Sequence, residues 1–332
     1  MTTTSFSGAR RYIAVLGTGG TIAGSSAQAG ANLGYTAGTV PVSTLVDGIE
    51  VPDGFILHTE QVAQLDSKDM DLDTWHALQL RCEHWLAQDE VAGLVITHGT
   101  DTIEETSFFL HSVLQSPKPV VLTCAMRPAT SSNADGPQNL RDALAVATAA
   151  DATGVVVVCA GEVHCATDVR KVHPYRLNAF GSGDAGPIAY VEEGKVRLLR
   201  SWPYEGMPEP KSDRKSLPAG DRWHRVEIVL SHAGARSDLI DGLIRERQDG
   251  HPEAVAGIVL AATGNGGVHH VLEQAALRAQ AAGIVVLVAT RCAEGRIIPA
   301  PDSLLPMAVD LSPVKARIAL LLQLRDKVKT SH

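Results

Sequence analysis

Aromatic residues are scarce in this sequence: Phe, Trp and Tyr together make up 4% of 332 residues. That scarcity counts against an all-β sandwich or barrel, whose sheets draw heavily on aromatic and β-branched side chains. Positive charge is also short. Lys and Arg number 29 against 37 Asp and Glu, a net charge of -8, so no basic surplus exists to neutralise phosphates and nucleic acid is excluded as the main partner. The five cysteines, Cys82, Cys124, Cys159, Cys165 and Cys292, are an odd number and contain no C-x-x-C pair. Neither a disulfide framework nor a thiolate zinc site is expected. Long apolar runs are missing: residues 284–289 form one of the longest, far below the roughly 18 residues of a membrane span, so no membrane partner is expected. The first twelve residues carry two arginines with no apolar stretch and cleavage site behind them. A cytoplasmic location is expected, or a periplasmic one if an export signal is missing from this chain.

Small and aliphatic residues are plentiful. Hydrophobic residues account for 45% of the chain and glycine contributes 30, enough for a substantial core with tight loops. At roughly 150 residues per domain, the length predicts two domains. Short β-branched runs at 12–16, 93–97, 120–123 and 154–159 read as strands buried on both faces. Between them, residues 72–86 place Leu72, Trp75, Leu78, Cys82 and Trp85 on one helical stripe, with Asp71 available as a cap. Residues 135–150 form a second such helix, with Leu140, Leu144 and Ala147 on its apolar side. Strands separated by helices imply parallel βαβ units and a doubly wound sheet. The proline-rich, charged stretch 201–222 reads as a linker between an N-terminal catalytic domain, 1–200, and a C-terminal domain, 223–332. In the latter, strands at 226–230, 256–261 and 283–289 alternate with helices near 238–248, 268–282 and 313–327. The fold class is therefore α/β: a larger N-terminal domain with a doubly wound, mostly parallel sheet, and a smaller C-terminal parallel α/β domain.

Ligands of open α/β sheets bind at the carboxyl ends of the strands. Two such ends are unusual here. One strand runs into Gly17-Thr18-Gly19-Gly20-Thr21-Ile22-Ala23-Gly24, another into Thr97-His98-Gly99-Thr100-Asp101-Thr102-Ile103-Glu104-Glu105-Thr106. The first is no dinucleotide fingerprint, because G-x-G-x-x-G requires glycine where Ile22 stands, and it is no P-loop, because no G-K-[ST] follows. It reads either as a turn satisfied by the Thr18 and Thr21 hydroxyls or as a glycine-lined site presenting Thr21 on a mobile segment. In the second stretch, Asp101 and Glu104 fit an ordinary N-cap and capping box. The start of the same helix equally favours a negative charge developing beside Thr100. Gly181-Ser182-Gly183 is no nucleophile elbow, since position 180 is Phe180. His269-His270 with Glu273 lacks the H-E-x-x-H spacing and reads as a solvated pair.

Taken together, TGGTIAG at 18–24 and HGTDTIEET at 98–106 resemble the two signature segments of the bacterial L-asparaginases, amidohydrolases with two threonines in the site. Further segments resemble that family in the same order: Gly34-Tyr35-Thr36-Ala37-Gly38, Asp66-Ser67-Lys68-Asp69-Met70, Ala125-Met126-Arg127-Pro128, 134–140 and Gly264-Asn265-Gly266. The resemblance runs from about Tyr12 to the final helix. It implies Thr21 as nucleophile, Tyr35 as its neighbour on a lid, and Thr100, Asp101 and Lys171 as a second triad. Ser67 and Asp101 would hold the α-carboxylate and α-ammonium of the substrate, with Lys68 and Asn265 also at the substrate site. Asp302 would stand for a carboxylate that the family supplies from a neighbouring subunit.

Chemistry supports such a set. Amide hydrolysis needs a nucleophile, a proton relay and donors for the oxyanion, and a threonine hydroxyl is too weakly acidic to act unaided. Lys171 serves as base only if a neutral amine exists at working pH. Lys68 departs from the family, whose well-known members carry Gln or Glu there. An ammonium has donors and no acceptor, so Lys68 either disfavours the substrate ammonium, reaches its carboxylate, or pairs with Asp66 or Asp69. The resemblance implies hydrolysis of the side-chain amide of L-asparagine without metal or organic cofactor, in a homotetramer built as a dimer of dimers. The alternatives are a glutaminase-asparaginase or a hydrolase of a related β-amide and, from another class, a catalytically silent amino-acid-binding or regulatory protein of the same fold.

Overall fold

The computed structural model describes residues 11–28, 30–114, 117–203 and 223–329. Two compact units divide the chain between residues 217 and 218. Most of the stretch read as a linker, from residue 204 to 222, lies outside the described residues.

In the first unit the elements run β1 (Arg11–Gly19), α1 (Val42–Val46), β2 (Phe55–Leu65), α2 (Leu72–Leu86), β3 (Val91–Thr97), α3 (Ile103–Val113), β4 (Val120–Thr123), α4 (Gly136–Thr148), β5 (Val155–Cys159), β6 (Glu162–Cys165), β7 (Arg170–Lys171), β8 (Phe180–Gly181), β9 (Ala189–Glu192) and β10 (Lys195–Leu198). Eight of the strands form one sheet, in the order β10-β9-β6-β5-β4-β3-β1-β2. From β2 to β5 every pairing is parallel, whereas β6, β9 and β10 add an antiparallel edge. Every residue of β3, β4 and β5 is buried, because helices cover both faces. Ile13, Val15, Val95, Val121 and Val156 point into the cluster that includes Leu140, Ala143 and Leu144 of α4 and Val42 of α1. The alternate residues face the other way, where α2 packs on β2 and β3 and α3 packs on β5, a consequence of the two-residue strand period.

Helix α2 spans the residues its periodicity predicts, and the Asp71 carboxylate caps it by accepting from the Thr74 N–H at 2.7 Å. Helix α4 is slightly shorter than expected. The antiparallel strands escape the sequence reading because each beyond β5 has four residues or fewer, and β10, Lys-Val-Arg-Leu, is mostly exposed. They close the edge away from the crevice described below.

The order β2-β1-β3-β4-β5 changes direction between β1 and β3. The connection from β1 runs to β2 on one side and that from β3 runs to β4 on the other, so a crevice is expected at the carboxyl ends of these two strands. The two threonine-bearing turns follow β1 and β3. Sheet topology alone therefore brings both signature segments to one place.

The second unit has β11 (Val226–Leu230), α5 (Asp238–Gln248), β12 (Gly257–Ala262), α6 (His270–Ala281), β13 (Val285–Thr290) and α7 (Pro313–Lys329). Its three strands are parallel, in the order β11-β12-β13. Ile258 and Leu260 of β12 are fully buried among Leu272, Ala275 and Ala276 of α6. None of the described helices is long and apolar enough to cross a membrane.

Candidate active site

Three backbone segments meet at the ends of β1, β2 and β3, and glycine permits the approach. Gly19 and Gly20 have φ of 103° and 80°. A Cβ on Gly20 would overlap the backbone of Gly99, and one on Gly99 would overlap the Ser67 side chain, so larger residues are excluded at both positions. The Gly20 N–H donates to Leu65 O at 2.8 Å, which ties the ends of β1 and β2 together.

Thr21 opens a short 3-10 turn, Thr21–Ala23, and is buried. Its Oγ1 lies 2.7 Å from Tyr35 Oη. Tyr35 arrives on the glycine-rich stretch, which folds back on itself through an antiparallel bridge between Ser25 and Thr36. That stretch rests on the loop after β4: the Ala129 N–H donates to Gly24 O at 2.9 Å, and Ser131 Oγ donates to Asn32 Oδ1 at 2.6 Å. A Cβ at Gly24 would press on the Tyr35 ring at 2.9 Å. The supporting loop is fixed in turn by Asp135, whose carboxylate accepts from the N–H groups of Met126 and Arg127 at 2.9 Å each.

Thr100 is buried just beyond β3. Lys171 Nζ donates to Thr100 Oγ1 at 2.7 Å and to Asp101 Oδ1 at 2.6 Å, so these three groups form one connected cluster. The capping-box alternative for Asp101 and Glu104 is overturned. Helix α3 starts at Ile103 after Thr102 and has no side-chain capping bond; Asp101 turns to the Lys171 amine, and Glu104 Oε2 accepts from the Lys171 backbone N–H at 2.7 Å. The side chain and the backbone of Lys171 thus take the two carboxylates that a local capping box would use.

Ser67 is buried beside this cluster. Its Oγ accepts from the Asp101 N–H at 3.2 Å and its carbonyl accepts from Thr102 Oγ1 at 2.7 Å. Thr102 is thus a supporting residue that the sequence reading missed, and its only signal was the T-D-T repeat of hydroxyls. Lys68 extends the other way: its amine lies 2.5 Å from Asp66 and 3.3 Å from Asp69, with the side chain 60% exposed. The Asp66 hydrogen bond, with Asp69 behind it, holds the Lys68 ammonium above the ordinary lysine range.

His98 is fully buried beneath the Thr100 turn. Its Nδ1 lies 2.8 Å from Gly99 O and its Nε2 lies 2.9 Å from Thr106 Oγ1, which accepts from Trp75 Nε1 at 2.9 Å. A carbonyl only accepts, so Nδ1 carries the proton and the Thr106 hydroxyl donates to Nε2. Burial pushes the His98 pKa down to about 4, which keeps the ring neutral and this chain of donors intact.

Asn265 and Asp302 belong to the second unit. Both ends of the Asn265 amide are used on Ile298: Nδ2 donates to its carbonyl at 2.8 Å and Oδ1 accepts from its N–H at 2.6 Å. Asp302 is exposed in the turn after Pro301. His269 caps α6 by accepting from the Val271 N–H at 3.3 Å, and no group of three acidic, His or Cys side chains among the described residues is arranged to hold a metal ion.

This arrangement offers two hydroxyls, one beside a phenol and one beside a lysine amine and a carboxylate. Comparison with known proteins points the same way. Residues 12–204 match the family described as "Asparaginase, N-terminal", and residues 225–331 match "Glutaminase/Asparaginase C-terminal domain". The chain is 33% identical to L-asparaginase 2 of Bacillus subtilis (strain 168) over 321 residues, 94% of this chain and 82% of that one. It is 33% identical to a probable periplasmic L-asparaginase of Haemophilus influenzae over 327 residues, covering 94% and 88%. A crystal structure of a probable cytoplasmic L-asparaginase from Campylobacter jejuni superposes with a TM-score of 0.83 at 33% identity, over 95% of each chain. With both of its units matched and its relatives covered over most of their length, this chain belongs to the asparaginase family.

Proposed function

We propose that this chain hydrolyses the side-chain amide of L-asparagine to L-aspartate and ammonia through an acyl-enzyme on Thr21. The observation that carries this reading is the pairing of two hydroxyls with two different proton partners: Thr21 with Tyr35 at 2.7 Å, and Thr100 with Lys171 and Asp101 at 2.7 and 2.6 Å from the amine. In this scheme Thr21 Oγ1 attacks the amide carbon and its proton moves toward Tyr35. That proton passes on through the Tyr35 hydroxyl to the amide nitrogen, whose bond to carbon breaks, and ammonia leaves. Water then attacks the ester carbonyl, its proton passing through Thr100 to Lys171 in its neutral form; the ester C–O bond breaks, a proton returns to Thr21 Oγ1, and aspartate is released.

Ser67 and Asp101 are proposed to hold the α-carboxylate and α-ammonium. Their mutual bond and the Thr102 strut keep them in place before substrate arrives, which lowers the entropic cost of binding. Lys68 is proposed to act at a distance, its charge largely offset by Asp66 and Asp69. Asn265 and Asp302 are proposed to serve the site from the C-terminal unit in a homotetramer, and the cytoplasm is the proposed compartment. Light scattering and cell fractionation test these last two points.

A catalytically silent binding protein of the same fold would have no need of the connected Thr100–Lys171–Asp101 cluster. The test is ammonia release by purified protein from L-Asn, D-Asn and L-Gln. Turnover of L-Asn is expected, with L-Gln slower. No ammonia from any of the three would refute the reading, and a preference for L-Gln would convert it to a glutaminase.

A further inference from the structure

Lys171 stands on the least self-sufficient element of the first unit. Strands β7 and β8 have two residues each and pair only with one another. Most residues between them are exposed. A ladder so short does not by itself fix a side chain to within a fraction of an ångström. Even so, the Lys171 amine meets Thr100 and Asp101 at 2.7 and 2.6 Å.

The missing constraint comes from outside the hairpin. Glu104, in the first turn of α3, accepts from the Lys171 backbone N–H at 2.7 Å. Helix α3 begins two residues after Asp101, so a single rigid element carries both the clamp and the turn the amine must reach. A second tie holds the returning strand: Ser182 Oγ lies 2.9 Å from Nδ1 of the buried His164, whose Nε2 lies 3.4 Å from Glu162. That series has the composition of a Ser–His–acid triad, and its bonds tie the residue after β8 to β6.

We propose that Glu104 is a positioning residue for the hydrolysis: its carboxylate sets the place of Lys171 against Thr100, and the His164–Ser182 bond pins the return of the hairpin. The proposal rests on the assignment of Lys171 made above. A glutamate in the first turn also favours the helix dipole, so the test must separate acceptor geometry from helix stability.

The experiment compares Glu104→Ala, Glu104→Gln, Ser182→Ala and Lys171→Met by kcat and KM for L-Asn and by thermal midpoint. A displacement of about 1 Å at a reacting group costs on the order of 100-fold. Glu104→Ala is therefore expected to lower kcat about 100-fold, with KM changed by less than about three-fold because Ser67 keeps its bonds to Thr102 and to the Asp101 N–H. Glu104→Gln, whose side-chain oxygen accepts the same N–H, is expected to recover most of that loss. Ser182→Ala should lower kcat roughly ten-fold on the same reasoning, and it keeps the proposal testable if Glu104→Ala does not fold. Lys171→Met should be inactive. Unchanged kcat in Glu104→Ala or Ser182→Ala beside an inactive Lys171→Met overturns the positioning role and leaves the Lys171 assignment standing. Equal losses in Glu104→Gln and Glu104→Ala also overturn it, since charge rather than placement would then matter. An active Lys171→Met overturns the assignment itself.

Discussion

Acidification should weaken the site from below, through His98. The native ring is neutral, donating to Gly99 O and accepting from Thr106, and its pKa lies at about 4 against about 6.5 for the unfolded chain. A lowered histidine pKa means that the unfolded chain binds the proton first. The stabilisation is therefore complete above about pH 6.5 and is lost as pH falls toward 4. Over the whole interval the separation is worth about 3 kcal/mol, and about 2 kcal/mol of it has gone by pH 5. His98→Asn removes the titrating group. It can still donate to Gly99 O but leaves the Thr106 hydroxyl without an acceptor, at a cost of about 1–3 kcal/mol at neutral pH. Urea unfolding of both proteins at pH 7.5 and pH 5, read through tryptophan fluorescence, measures the difference. Trp75, one of four tryptophans, belongs to the network. The native protein should lose about 2 kcal/mol more than the variant between the two pH values. Equal losses would refute the assignment of a buried neutral His98.

Three further outcomes follow from the geometry. Thr100→Val keeps the shape of a buried side chain and removes the acceptor for Lys171, so kcat should fall by orders of magnitude with little change in folding; near-normal turnover would remove Thr100 from the mechanism. The glycine-rich stretch carrying Tyr35 should gain protection from hydrogen exchange when aspartate binds, because only a few bonds tie it to the loop after β4; equal protection with and without aspartate counts against a lid. Lys68→Gln should lower KM for L-Asn by less than about three-fold at low salt, and the effect should fade at high salt, as expected of an exposed charge already paired with two carboxylates. A change of ten-fold or more would place the Lys68 amine on the substrate.

Much of the fold was legible because its central strands are covered on both sides. Val155 to Val158 and Leu94 to Ile96 are continuous apolar runs, a pattern that only a parallel sheet between two helical layers demands. Helix α2 declared itself by stripe and cap alike. The edge was less visible, since β10 mixes two basic residues with Val196 and Leu198 and owes its strand form to pairing with β9. In the site, glycine spacing left the threonine turns open between ordinary turns and a site, and the family resemblance chose between them; the close approach that excludes a Cβ at Gly20 and Gly99 is visible only in the structure. What stayed hidden were contacts between residues far apart in the chain. Asp101 and Glu104 carry the local signature of a capping box, and nothing near them in sequence reveals that Lys171 competes for both. The partners of Lys68 were within reach of a sequence argument, but its choice among them depends on where the turn after β2 directs the side chain.

The claim at the centre of this account is that Thr21 attacks the amide carbon. Rapid quenching during turnover of L-Asn, followed by peptide mapping with mass spectrometry, tests it most directly. An aspartyl ester on the peptide containing Thr21, absent from Thr21→Val together with ammonia release, is the predicted result. An ester on Thr100, or undiminished ammonia release by Thr21→Val, would contradict it.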